Sequence, residues 1–302
     1  MYILWFVCSV LRATMKFEVV NPNSLHETLD VLASVDNVVP LAGGTDLMVY
    51  LEAGSLGPCT FLNLQDIAQL RPKLFLDRSV TLGALTTYRD VRLSPIRDDF
   101  PMLALAAREV GSLAVQSRGT WAGNIANASP AADGVPALMA YDAEVELTSN
   151  RASRRVSLCK FYRGYKQMDR KTNELITAIH LPRPQAGWFD YYRKVGARRF
   201  QAISKTLLAG RILFDAGNTI RDIRMILASV APYTFRAFET ERVLRGSQLG
   251  PKQIESAAAA IQDEIHPIDD IRSTEMYRRR VTSNLVRDFL TRAIDGREKY
   301  IH

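Results

Sequence analysis

Two short glycine segments carry the chemistry that this sequence is equipped to do. The first, Leu41-Ala42-Gly43-Gly44-Thr45-Asp46, follows the apolar run Asn37 to Leu41 and leads into a helical-looking stretch, Leu47 to Ala53. Glycines between a strand and a helix leave main-chain N–H groups open to an anion, because no Cβ blocks the approach and the helix start adds partial positive charge. Phosphate is the fitting guest. The second segment, Arg118-Gly119-Thr120-Trp121-Ala122-Gly123-Asn124, adds a hydroxyl and an amide that can hydrogen-bond a diphosphate or a polyol. One Gly-Gly pair alone reads as a plain tight turn; two such segments in one chain point to a large nucleotide. Neither fits G-x-G-x-x-G after a strand or G-x-x-x-x-G-K-[ST], so a Rossmann site or an ATPase is not expected.

Little else in the chain offers catalysis. The four histidines, His26, His180, His266 and His302, stand apart without ligand spacing, and no Ser, His and Asp constellation is evident, so hydrolysis and zinc chemistry are unsupported. Cys8, Cys59 and Cys159 are too few and too scattered for an iron–sulfur cluster, which needs four ligands, or for a metal site. The same usage suits a reducing compartment, and a cytoplasmic protein is expected.

With 302 residues, 47% hydrophobic and 24% charged, the sequence matches a globular protein of two linked domains and excludes collagenous, disordered and disulfide-scaffold classes. Its net charge of +7 comes from scattered Lys and Arg, so no nucleic-acid partner is expected. The apolar run from Tyr2 to Leu11 is too short to span a bilayer, and Arg12 follows it rather than preceding it. No membrane partner is expected, and residues 1–14 read as a dispensable extension before a first strand at Met15 to Val20.

The elements that must position the two turns alternate between helix and strand. Ser24-Leu25-His26-Glu27 has the form of a capping box opening a helix to about Ser34. Ser79 to Ala84 reads as a strand, Thr87 to Leu93 as a short helix, and Pro101 to Val110 as a helix ended by Gly111. After the second turn comes an Asn-, Ser- and Pro-containing loop, a helix from Asp133 to Tyr141, and strands at Ala143 to Thr148 and Leu175 to Leu181. Pro182 and Pro184 mark a linker near 182–188. Beyond it, strands are predicted at Tyr191 to Val195, Ser204 to Phe214 and Thr219 to Val230, the last two forming a hairpin through Asp215-Ala216-Gly217-Asn218. Three helices follow near 234–245, 251–264 and 274–294, with Tyr277, Val281, Leu285, Phe289 and Ile294 on one face of the last.

The two turns, read at full length, resemble the FAD-binding motifs of the molybdenum hydroxylase flavoproteins: Pro40-Leu41-Ala42-Gly43-Gly44-Thr45-Asp46-Leu47, and Gly119-Thr120-Trp121-Ala122-Gly123-Asn124 continuing through Ile125-Ala126-Asn127-Ala128-Ser129-Pro130-Ala131-Ala132-Asp133. These proteins are the medium subunits of the xanthine dehydrogenase, aldehyde oxidoreductase and carbon monoxide dehydrogenase family. The likeness runs from Met15 nearly to the end, and Ala228-Ser229-Val230-Ala231-Pro232 and Tyr277-Arg278-Arg279-Arg280 resemble landmarks of its C-terminal domain.

The resemblance implies an α+β fold: a two-subdomain FAD-binding domain of the PCMH type over residues 15–182, divided near residue 70, and a small C-terminal domain of antiparallel sheet plus three helices over 188–302. It implies FAD as the cofactor, with Leu41, Ala42, Gly43, Gly44, Thr45 and Asp46 at the diphosphate. Thr120, Ala122, Gly123, Asn124 and Asn127 would close the grip, and Asp133 would contact the ribityl or diphosphate region. Ile176 would pack on the ring system, with Tyr192 and Lys194 near the isoalloxazine. Ala122 stands where many relatives have glycine. Three bland readings stay beside these: Asp133 as a helix N-cap, Ile176 as a core residue, and Tyr192 and Lys194 as one exposed strand face.

The implied activity is electron transfer without a catalytic side chain or a metal in this chain, of the xanthine dehydrogenase type. Electrons would come from a small [2Fe–2S] subunit and, beyond it, a large molybdopterin subunit, and leave to NAD, oxygen or quinone. Such a subunit belongs to a heterotrimer. The competing readings are a free-standing FAD oxidase and a binding module that has lost its flavin.

Overall fold

The computed structural model describes residues 17–296 except 72, 199, 200 and 218. The expected extension 1–14, and with it Cys8, lies outside the described residues, as does Asn218 of the expected hairpin turn.

The chain opens with β1 (Glu18–Val20), α1 (Leu25–Ser34), β2 (Val38–Leu41), α2 (Leu47–Glu52) and β3 (Thr60–Asn63), and its three strands form a parallel sheet of order β1-β3-β2. The α1 cap forms as the sequence predicts on one side, Ser24 Oγ accepting from Glu27 N at 3.2 Å. The Glu27 carboxylate, however, accepts from Asn23 N at 2.7 Å, one residue further upstream. Thr28, Leu29 and Leu32 form the buried side of α1.

The next stretch holds β4 (Lys73–Phe75), β5 (Ser79–Gly83), α3 (Tyr88–Arg92), α4 (Ile96–Asp99), α5 (Pro101–Glu109), α6 (Leu113–Arg118), α7 (Trp121–Asn127) and α8 (Gly134–Ala140). It closes with β6 (Glu144–Thr148), β7 (Ser153–Ser157), β8 (Tyr162–Gly164), β9 (Gln167–Met168) and β10 (Leu175–Pro182). Five of these strands make an antiparallel sheet of order β4-β5-β10-β6-β7, and β8 and β9 form a separate two-stranded hairpin. Sequence periodicity leaves 121–127 as loop because Gly123, Asn124 and Asn127 are poor helix formers. The structure makes it helical: Thr120 Oγ1 caps Gly123 N at 3.0 Å, and Trp121 and Ile125 are fully buried.

The C-terminal region comprises β11 (Trp188–Val195), β12 (Thr206–Phe214), β13 (Ile220–Ala228), β14 (Phe235–Arg236), α9 (Phe238–Leu244), α10 (Pro251–Glu264) and α11 (Glu275–Ile294), its strands antiparallel in the order β11-β12-β13-β14. The helix expected near 234–245 is thus shorter and follows a two-residue strand. The sheet is covered on both faces by apolar residues. Tyr192, Leu207, Ala209, Ile226 and Ala228 join the core of the preceding domain, whereas Tyr191, Leu208, Ile212, Met225 and Leu227 pack under the C-terminal helices. In α11 the buried side is Thr282, Leu285, Val286, Phe289 and Leu290. Tyr277 and Ile294, placed on that face from the sequence, are 40% and 42% exposed because they lie off the buried stripe, which at the two ends of the helix runs through Arg278 and Ala293 instead.

One close approach in this sheet is testable. A Cβ on Gly210 would meet the Phe289 ring at 2.8–3.0 Å, so Gly210→Ala must displace a fully buried aromatic. The expected cost is about 1–3 kcal/mol, read as a lower midpoint in denaturant unfolding with an unchanged slope.

Candidate functional site

A cavity of about 1200 Å³ opens between the parallel sheet, the five-stranded sheet and the C-terminal domain. The two glycine turns, far apart in sequence, meet in its wall. A Cβ built on Gly43 would lie 1.9 Å from Arg118 O and 3.0 Å from Gly119 N, so the two main chains pass each other at a distance that only glycine permits. A Cβ on Gly119 would in turn approach Thr45 Oγ1 at 3.4 Å. Side chains tie the same junction: Asn127 Nδ2 donates to Asp46 Oδ1 at 3.0 Å, and Tyr50 OH donates to Asn127 Oδ1 at 3.0 Å. The second turn is fixed from behind, Trp121 N donating to Thr86 O at 3.1 Å and Tyr88 N to Gly119 O at 3.3 Å.

Most residues that the sequence nominates do line this cavity: Ala42, Gly43, Gly44, Thr45 and Asp46 from the first turn, Thr120, Ala122, Gly123, Asn124 and Asn127 from the second, then Asp133 and Ile176. Leu41, Tyr192 and Lys194 stand outside the lining. Lys194 Nζ is held by Asp133 Oδ2 at 2.7 Å and Glu109 O at 2.9 Å, and Tyr192 OH donates to Asp133 O at 3.0 Å, so both support Asp133 from behind. Neither is an exposed strand face: the Lys194 side chain is 5% accessible and Tyr192 is 2% exposed. Asp133 is not an N-cap either, since no cap hydrogen bond forms; its other oxygen accepts from Ser204 Oγ at 2.6 Å. Burial pushes the Asp133 carboxyl above its ordinary range, against the pull of Lys194 and Ser204. Ile176 is a core residue that also lines the cavity.

Tyr50, Lys166 and Ser204 stand outside the motifs read from the sequence, and Ser229 enters there only as part of a C-terminal-domain landmark. Ser229 adopts φ +67°, a left-handed conformation that is strained for serine, while its N–H donates to Pro130 O at 2.8 Å and so joins the C-terminal domain to the loop after the second turn. No periodicity signals such a residue. Ser204 and Lys166 are likewise visible only once the domains are packed.

The site fits an extended dinucleotide. Among the described residues the main-chain N–H groups of Gly43, Gly44 and Thr45 meet no protein acceptor, an arrangement suited to a diphosphate. Asn124 Oδ1 and Ser229 Oγ are buried beside the cavity without protein partners, a cost of about 1–3 kcal/mol each unless another group satisfies them. Among the described residues no cluster of three His, Cys, Asp or Glu could hold a metal ion, and no helix is long and apolar enough to cross a membrane.

Comparison with known proteins gives the same picture. Residues 15–184 match the family model described as the FAD binding domain in molybdopterin dehydrogenase, and residues 191–293 match the CO dehydrogenase flavoprotein C-terminal domain. The glyceraldehyde dehydrogenase medium chain of Sulfolobus acidocaldarius is 33% identical over 89% of this chain and 95% of its own. The carbon monoxide dehydrogenase medium chain of Hydrogenophaga pseudoflava is 27% identical over 92% and 97%. A solved structure of carbon monoxide dehydrogenase from that organism, lacking the Mo-pyranopterin moiety of its cofactor, superimposes with a TM-score of 0.88 over 93% of this chain and 98% of the other.

Proposed function

The chain belongs to the FAD-binding subunits of the molybdopterin dehydrogenases, and from that premise we propose that it relays electrons within a multi-subunit molybdenum hydroxylase. Its cofactor is FAD, and it is a subunit of an FAD-dependent oxidoreductase. FAD supplies an isoalloxazine able to take up electrons singly and release them in pairs, and this chain's own work is to hold and shield it.

The observation that supports the reading is the close approach of Gly43 to Arg118 O, which brings the open N–H groups of the first turn against the second turn in one wall of the cavity. Gly43, Gly44 and Thr45 would bind phosphate oxygens through N–H groups. Thr120 Oγ1 accepts the cap bond from Gly123 N, which shapes the second turn, and its O–H would remain a donor for the cofactor. Asp133, held by Lys194, Ser204 and Tyr192, would present a fixed carboxylate between the two domains, with Ile176 beneath the ring.

Only Cys8, Cys59 and Cys159 are present, so the donor of electrons is a separate iron–sulfur subunit, with a molybdopterin subunit beyond it. The substrate is chosen there. Relatives named for glyceraldehyde, nicotinate, xanthine and carbon monoxide all align with this chain over nearly their full length, which argues that the medium subunit does not discriminate among these substrates. A xanthine-type reaction is one of that set, and NAD, oxygen or quinone would take the electrons. Purification under native conditions tests the reading. A yellow protein with flavin bands that copurifies with brown, cluster-bearing partners is expected; a colourless protein refutes FAD binding, and a yellow protein that turns over alone points to a free-standing oxidase.

A further inference from the structure

The hairpin β8–β9 brings Tyr165 and Lys166 into the lining of the cavity, against Tyr50 of the helix that follows the first glycine turn. Lys166 sits at φ +54°, a position where glycine or asparagine would be relaxed, so a long cationic side chain is kept there against the backbone preference. Its partners set it apart from the other cations around the cavity. Arg278 is tied to Asp270 at 2.8 Å and to the carbonyls of Lys205 and Ser229. Arg272 pairs with Asp270 at 3.3 Å, and Arg170 donates to the carbonyls of Lys171 and Glu174. Among the described residues Lys166 meets neither a carboxylate nor a carbonyl: Nζ donates to Tyr50 OH at 3.1 Å and lies 4.9 Å from the centre of that ring.

From Tyr50 the contacts run through Asn127 to Asp46, directly after the open N–H groups of Gly43, Gly44 and Thr45. The cradle therefore has donors but also a carboxylate, which would repel a diphosphate if no cation stood near. Burial pushes the Asp46 carboxyl up, and Lys166 is the cation that opposes this. The ammonium group on its flexible stem is thus positioned to leave a hydroxyl for a stronger acceptor.

We propose that Lys166, carried on the tip of the β8–β9 hairpin, is the counter-charge to the diphosphate of FAD and closes the cradle beside Tyr50, Asn127 and Asp46. The inference rests on the FAD reading above and adds the residue that neutralises the cofactor. Its test is a binding titration of the full chain after removal of flavin, followed by fluorescence, with FAD and with riboflavin, which has no phosphate.

Lys166→Met, which keeps the stem, is expected to weaken FAD about tenfold or more and to flatten the salt dependence of binding, while riboflavin affinity stays unchanged. Lys166→Arg is expected to restore most of the loss. A loss for FAD below about fivefold, or an equal loss for riboflavin, overturns the assignment of Lys166. If the unsubstituted chain takes up no FAD at all, the cofactor reading itself has failed, and the two failures are told apart.

Discussion

Replacing Gly43 by alanine is expected to empty the protein of FAD. The new Cβ would stand 1.9 Å from Arg118 O, 2.6 Å from Arg118 C and 3.0 Å from Gly119 N, all main-chain atoms that cannot rotate away. The two turns must then separate by about 1 Å, which costs about 3 kcal/mol, or about a hundredfold in affinity if the N–H groups of the first turn bind the diphosphate as proposed. Two neighbouring substitutions calibrate the result. Gly44→Ala meets only side-chain atoms, the nearest at 3.4 Å, but must hold φ +74°, a backbone cost of about 1–2 kcal/mol. Gly57→Ala meets nothing within 4 Å and should change nothing. Flavin absorbance per protein, with far-ultraviolet circular dichroism to confirm folding, ranks the three. Full flavin retention by Gly43→Ala would falsify the convergence of the turns as the basis of binding.

This substitution also shows what a sequence can and cannot disclose about such a site. Gly43 and Gly44 are legible as an anion turn because their chemistry is local: a strand end, two missing Cβ atoms, a helix start. That Gly43 packs on Arg118 O is a tertiary fact, invisible in either segment alone. The helix Trp121–Asn127 escaped notice for a related reason, since burial of Trp121 and Ile125 outweighs the low propensity of the residues between and after them. Asp133 is the converse case. An aspartate before a helix is ordinarily its cap, but a lysine and a serine from the C-terminal domain claim its carboxylate first, and neither lies near it in sequence. Tyr277 and Ile294 are apolar residues near the expected stripe of α11, yet the buried stripe runs through their neighbours Arg278 and Ala293.

The same logic of long-range ties governs stability at the seam between the two domains. Asp190 on β11 accepts from Arg211 Nε at 2.6 Å and from Tyr141 OH at 2.7 Å, and Tyr141 also accepts from Met102 N at 3.2 Å. Arg211 lies 4.4 Å from the Tyr141 ring centre and 4.7 Å from that of Trp188, whose ring also has Arg224 at 4.7 Å. The Arg211 and Asp190 side chains are 4% and 8% accessible, so neither charge can fall back on water.

Arg211→Met is therefore expected to cost about 3–5 kcal/mol, because it leaves Asp190 buried with a hydroxyl as its remaining partner. That corresponds to roughly a 10 °C fall in the thermal midpoint. Asp190→Leu should be as damaging, stranding the guanidinium between two rings. Combining the two removes both charges and should recover most of the loss, since an apolar pair of similar volume replaces a desolvated ion pair. Additive losses in the double variant, or a midpoint for Arg211→Met within about 2 °C of the parent, would contradict a buried pair at this seam. Flavin content should fall with Arg211→Met as well. Tyr141 follows helix α8 directly, and the residue before that helix is Asp133, so loosening the seam frees the carboxylate that Lys194 and Ser204 hold against the cavity.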